Sequence, residues 1–242
     1  MKFLASVAAA AMVATPVIAA DKDWNFGDGE MPERWSLVSS DYAMCDAGLM
    51  QSPIDLAQAK AHGNLTVETN YASTAGTLAI AEEKVQIDFA SGLHMHSGGK
   101  TFNLIQVHFH TPAEHAIDGE RYPLVGHFVH ATEAGELGVL GVMFKEGDAN
   151  PGLEVLVDSM DEGNGAALTV DASSMIPDDL TVYRYMGSLT TPPCSEGVNW
   201  HVAHEVLTAS AEQIEALTEE LGPTARSIQP LGNRLLVGPH SH

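Results

Sequence analysis

The chain has 242 residues, 11 basic and 32 acidic side chains, a formal charge of −21 and a hydrophobic share of 45%. That length buries a sizeable core, as one large domain or two small ones. Its negative charge repels nucleic-acid phosphates and anionic lipid headgroups, which argues against both as partners and suits a well-hydrated protein in a salty habitat.

The N-terminus reads Met1-Lys2-Phe3, stays largely apolar to Ile18 and reaches Ala19-Ala20 before the first acid, Asp21. One basic residue, a short apolar run and terminal small residues have the form of a secretory signal peptide. A cut near Ala20 would leave 21–242 as a single domain, periplasmic or secreted. No later stretch is long enough to span a bilayer, so no membrane anchor is expected, a retained N-terminal anchor being the alternative. Cys45 and Cys194 make an even count, which in an oxidising compartment suggests one disulfide; two unpaired thiols are the alternative.

Short β-rich runs follow at Lys84–Phe89, Phe102–His110, Leu124–His130, Val139–Phe144, Thr181–Tyr185 and Trp200–Leu207, separated by turn residues such as Ser97-Gly98-Gly99 and Gly119-Glu120. Two helices are expected. Asn150 can cap one, with Pro151 at its first position, running towards Met160 and ending before Gly163. Ser210 and Gln213 form a capping box for the other, which Gly222-Pro223 stops. Many strands, few helices and no composition shift describe one mainly β domain.

Gln106-Val107-His108-Phe109-His110 carries the chemistry. Strand side chains alternate sides, so His108 and His110 point the same way, about 7 Å apart along the chain. On this alternation one face reads Phe102, Leu104, Gln106, His108, His110, with the Gln106 amide one rung from His108 and able to hold its second nitrogen. On the next run Val125, His127 and Val129 share a face, setting a third histidine between two valines, a dry wall suited to a small uncharged substrate. A lone histidine is ordinarily a satisfied core or surface residue; three placed like this suit Zn²⁺, whose catalytic sites keep three protein ligands and one open position. His108, His110 and Glu114 also share the spacing of the first cupin metal motif, but Pro123, Gly126 and His127 do not fall at the distances of the second.

The longer string Gln106 to His115, then His127-Phe128-Val129-His130, then Ser188-Leu189-Thr190-Thr191-Pro192-Pro193-Cys194, resembles the α-class carbonic anhydrases, especially bacterial secreted members. Trp24, Trp35, Gln51-Ser52-Pro53-Ile54, Val139-Leu140-Gly141, Trp200, Gln229-Pro230-Leu231 and Asn233-Arg234 extend the likeness over nearly the whole mature chain. The resemblance implies an α+β, mainly β fold: a large twisted, mostly antiparallel central sheet with a few peripheral helices. It implies a zinc hydro-lyase in which zinc-bound hydroxide attacks CO₂ to give bicarbonate and a proton. Carried over by position, His108, His110 and His127 are the zinc ligands. Thr190 accepts a hydrogen bond from the hydroxide and Glu114 accepts the Thr190 proton. Val129, Val139, Leu189 and Trp200 form the CO₂ pocket, with Thr191 a polar contact. The expected partner is CO₂ or bicarbonate, with a homodimer left open.

Three positions depart from the family. Glu83 stands where efficient members carry a proton-shuttling histidine, and a carboxylate with an ordinary pKa near 4 holds a proton too weakly for that task at neutral pH. His94 and His96 are the substitutes if their loop folds inward. Val125 stands where a glutamate usually orients the third ligand, and Phe26 where a tyrosine orders cleft water. Two rival functions are a non-catalytic relative with a vestigial cleft and an exported zinc-binding protein, the latter prompted by His240 and His242.

Overall fold

The computed structural model describes residues 24–26 and 33–240; the expected signal segment and its cut lie outside them. Fourteen strands join in one sheet. In chain order they are β1 Ala61–His62, β2 Leu65–Thr66, β3 Glu68–Thr69, β4 Ser73–Ala81, β5 Lys84–Phe89, β6 His94–Ser97, β7 Lys100–His110, β8 Leu124–Ala131, β9 Leu137–Glu146, β10 Ala167–Asp171, β11 Thr181–Ser188, β12 Glu196–Ala203, β13 Leu207–Ala209 and β14 Val237–Gly238. The helices are α1 Ala43–Ala47, α2 Pro151–Met160 and α3 Ala211–Leu221. Across the sheet the order is β1-β14-β11-β12-β9-β8-β7-β5-β4-β10, antiparallel except where β12 and β13 pair with β9 and β1 pairs with β14.

Burial explains the order. In β9 the run from Gly138 to Phe144 is buried without a break, which is how a strand covered on both faces reads. One face packs Val107, Phe109, Phe128, Leu140 and Val142 against Leu153 and Leu156 of α2 and Leu217 and Leu221 of α3. The other packs Val125, Val139, Met143, Tyr185 and Trp200. Both predicted helices form with their predicted caps: Asn150 accepts from Gly152 and Leu153, and the Ser210–Gln213 box is reciprocal.

Three features differ from the sequence reading. A bulge interrupts β7, where Leu104 pairs with His130 and Gln106 with Val129, leaving Ile105 unpaired and exposed. One extra residue inverts the alternation beyond it. Phe102 and Leu104 therefore join Val107 and Phe109 in the main core, and Gln106, His108 and His110 occupy the opposite face, not the face of Phe102 and Leu104. The run Trp200–Leu207 is two strands, because exposed His204 and Glu205 bend the chain between β12 and β13. Strand β4 escaped notice because Ser-Thr-Ala-Gly-Thr-Leu-Ala-Ile-Ala has weak strand propensity; pairing with β5 and β10 supplies what propensity lacks.

Two buried histidines outside the site make the fold acid-sensitive. His130 lies 2.5 Å from Tyr71 Oη and 3.2 Å from the Gly138 carbonyl, and burial pushes its pKa down to about 4. His201 lies 2.8 Å from Ser97 Oγ; burial, then the Arg184 guanidinium, push it to about 3. Both folded values lie below the unfolded 6.5, so this stability is complete above pH 6.5 and is lost as pH falls. Between pH 7 and pH 5 each should cost about 2 kcal/mol. Urea titrations at the two pH values check this, and equal unfolding free energies would refute it.

Candidate metal centre

His108 and His110 stand two residues apart on β7, and His127 faces His108 across the β7–β8 ladder. Their ring centroids lie 5.0, 5.3 and 4.9 Å apart, and one nitrogen from each falls within 4.8 Å of the others. Each of the first two has its Nδ1 engaged. His108 Nδ1 lies 3.0 Å from Gln106 Oε1, and His110 Nδ1 lies 2.7 Å from the carbonyl of Thr224. That fixes the tautomer and turns both Nε2 atoms to a shared space. His127 presents Nδ1 instead: this atom and His110 Nε2 are each 3.7 Å from Glu114 Oε2.

The donor set fits a zinc ion. His110 and His127 are buried and His108 half-buried, with His110 Nε2 lacking any partner. Burial, then the neighbouring histidines, hold His108 and His127 well below the ordinary imidazole range, so both are neutral ligands at pH 7. Three imidazole nitrogens converging on one site, with no fourth side chain among the described residues completing it, match the open zinc arrangement.

Glu114 is fully buried beside the triad; its Oε1 accepts from the backbone N–H of Arg226 at 3.1 Å, while Oε2 has no hydrogen-bond partner. Thr190 is buried just beyond β11. Val139 and Trp200 belong to the apolar cluster on this face, with Val129 and Leu189 packed against it, and Thr191, two residues past Leu189 in the chain, is half-buried. The Trp200 indole N–H donates to the carbonyl of Ser188 at 2.9 Å, and its ring lies 4.9 Å from that of His127. Gly187 permits this approach, since a Cβ there would meet Trp200 Cδ1 at 2.8 Å. Phe26 is buried with its ring 6.2 Å from that of His110.

Glu83 sits half-buried in the turn between β4 and β5, with a left-handed φ of 54°. Three residues on, Gln86 pairs with His108. His94 and His96 do not reach the site. They lie on β6, where His94 pairs with Asn103, five residues and so about 17 Å along β7 from His108. Sequence reasoning missed four participants: Thr224, which acts through a backbone carbonyl; Arg226; and the buried pair His115 and Tyr185, joined at 2.8 Å. Two left a signal: His115, which ends the long motif from Gln106, and Arg226, a basic residue in a chain with few. Its guanidinium is buried, bonded to the carbonyls of Cys45 and Ser52 and to Gln51 Oε1.

Cys45 and Cys194 form a disulfide. No helix among the described residues is long and apolar enough to cross a membrane.

The family model described as eukaryotic-type carbonic anhydrase matches residues 30–237. A carbonic anhydrase of Pectobacterium atrosepticum is 35% identical over 219 residues, covering 88% of this chain and 90% of the relative. One from Nostoc is 35% identical over 236 residues, covering 93% and 89%. The α-carbonic anhydrase from Thermovibrio ammonificans, solved with the inhibitor sulfanilamide, superposes with a TM-score of 0.82 at 38% identity, covering 88% of this chain and 98% of that one. Matched over most of its length in sequence and in fold, the chain belongs to the eukaryotic-type, or α, carbonic anhydrase family.

Proposed function

We propose that this protein catalyses the reversible hydration of CO₂ to bicarbonate and a proton, with zinc held by His108, His110 and His127. The observation that carries the reading is the convergence of three imidazole nitrogens beside an apolar wall. Zinc in such a site supplies the Lewis acidity that brings a coordinated water's pKa to about 7, carbonic anhydrase itself being the reference case.

The chain's own residues orient and exclude. Gln106 and the Thr224 carbonyl accept from the two Nδ1–H groups and keep both Nε2 atoms turned inward. Glu114, held at Oε1 by Arg226, keeps Oε2 without a hydrogen-bond partner, and that oxygen would be the acceptor for the Thr190 hydroxyl. With its proton so committed, Thr190 Oγ1 would only accept, and so would fix the orientation of an oxygen that donates to it. Val129, Val139, Leu189 and Trp200 hold CO₂ against a surface that water wets poorly, with Thr191 at its polar edge. Export to an oxidising compartment, the periplasm or medium, is supported by the disulfide and the N-terminal pattern.

Stopped-flow CO₂ hydration alongside zinc stoichiometry tests the reading. One zinc per chain with turnover abolished by chelator and by a sulfonamide is expected. Zinc-loaded protein without turnover would point instead to a binding or storage role.

Proton export is the slow step this sequence suggests. Glu83 stands where efficient relatives carry a proton-relaying imidazole, so dilute buffer should limit turnover. Added imidazole should raise the rate roughly tenfold or more, and Glu83→His should remove most of that dependence. Turnover indifferent to imidazole would count against Glu83 as a weak relay.

A further inference from the structure

Among the described residues, six buried polar atoms lack a hydrogen-bond partner: His110 Nε2, Glu114 Oε2, His115 Nδ1, His127 Nε2, His201 Nδ1 and Arg226 Nε. The first two border the metal space. His115 Nδ1 and His127 Nε2 belong together: both rings pack edge-on against Trp200, at 4.8 and 4.9 Å, and lie 6.3 Å from each other.

Their chemistry is complementary. His127 shares the metal space through Nδ1, whose lone pair a bound zinc would take, so the ring proton would lie on Nε2, a buried donor that costs about 1–3 kcal/mol if left unmade. Val125, two residues earlier on the same strand face, offers only methyl groups. His115 is held from its far side, with Nε2 2.8 Å from Tyr185 Oη and Tyr185 Oη 2.8 Å from Ser52 Oγ. When Nε2–H donates to Tyr185, and Tyr185 donates to Ser52, His115 Nδ1 keeps a free lone pair. A direct N–H···N bond sets two imidazole centroids about 5 Å apart, whereas a bent bridge through one water sets them about 6–7 Å apart. The observed separation falls in the second range.

We propose that His115 is the positioning residue for His127, through one buried water that accepts from His127 Nε2–H and donates to His115 Nδ1. The third metal ligand is then anchored through His115 and Tyr185 to Ser52, in place of an acceptor on its own strand. This inference rests on the zinc reading above.

Zinc release from the loaded protein into excess chelator provides the test, with thermal unfolding recorded in parallel. His115→Ala should release zinc about 10–100-fold faster than wild type, and His115→Asn, which keeps an amide near the Nδ1 position, should recover most of that loss. Val125→Glu puts a carboxylate within reach of His127 Nε2–H, so it should slow release and make His115→Ala nearly silent in that background. A slowly exchanging His127 Nε2 proton in ¹⁵N-edited spectra should be present in wild type and lost in His115→Ala. Wild-type release from a folded His115→Ala protein overturns the proposal, as do equal effects of that change with and without Val125→Glu. Should His115→Ala fail to fold, an unchanged release rate in Val125→Glu does so. Purified wild type without zinc would instead defeat the metal reading, which keeps the two failures apart.

Discussion

Replacing His127 by alanine is expected to lower zinc affinity by about 10²–10³-fold and to remove CO₂ hydration in proportion to the zinc lost. The magnitude follows from structural zinc sites, worth about 10–16 kcal/mol over four ligands, hence roughly 2.5–4 kcal/mol per ligand. His108→Ala and His110→Ala should behave alike, because all three nitrogens converge on one space. The loss should exceed that from any change in the supporting residues, which leave the ligand count intact. His94→Ala is the control, since His94 pairs with Asn103 at the other end of β7 and should leave metal and turnover unchanged. Equilibrium dialysis against a chelator, with hydration rates on the same samples, reads both quantities. Undiminished turnover in any of the three ligand variants would dismantle the site.

The second large effect concerns the disulfide. Cys45 and Cys194 stand 149 residues apart, and closing so long a loop stabilises a fold by about 5 kcal/mol on the chain-entropy model. A domain's whole stability is about 5–15 kcal/mol, so reduction removes a large part of it. The bond also secures the site from two sides. The Cys45 carbonyl accepts from the guanidinium of Arg226, whose backbone N–H holds Glu114, and the N–H of Cys194 bonds the carbonyl of Thr191, next to Thr190. Cys45→Ser, or wild type in reductant, should therefore unfold at a much lower denaturant concentration. Matching midpoints for oxidised and reduced protein would show that the bridge contributes little.

Local chemistry was legible from neighbouring residues alone. Asn150-Pro151 and Ser210 with Gln213 announce helix starts because capping is settled within one turn of chain. The Lys84–Phe89 strand reads with its observed limits, and His108 and His110 share a side because strand geometry fixes a period of two. The long motifs around them carried the family, and with it the expectation for His127, Thr190 and Glu114.

Other features were settled only when distant segments met. The bulge at Ile105 depends on how β7 registers against β8, so no local pattern showed which core Phe102 joins. Thr224 holds His110 through a backbone carbonyl 114 positions away, and a carbonyl has no residue identity to read. Arg226 reaches Glu114 across 112 positions, and His115 finds Tyr185 across 70. Sequence by itself determined which groups can bind a metal, because that lies in the side chains. The tertiary structure decided which buried nitrogens are held and which are left without a partner, because each hydrogen bond needs two groups that only the folded chain brings together.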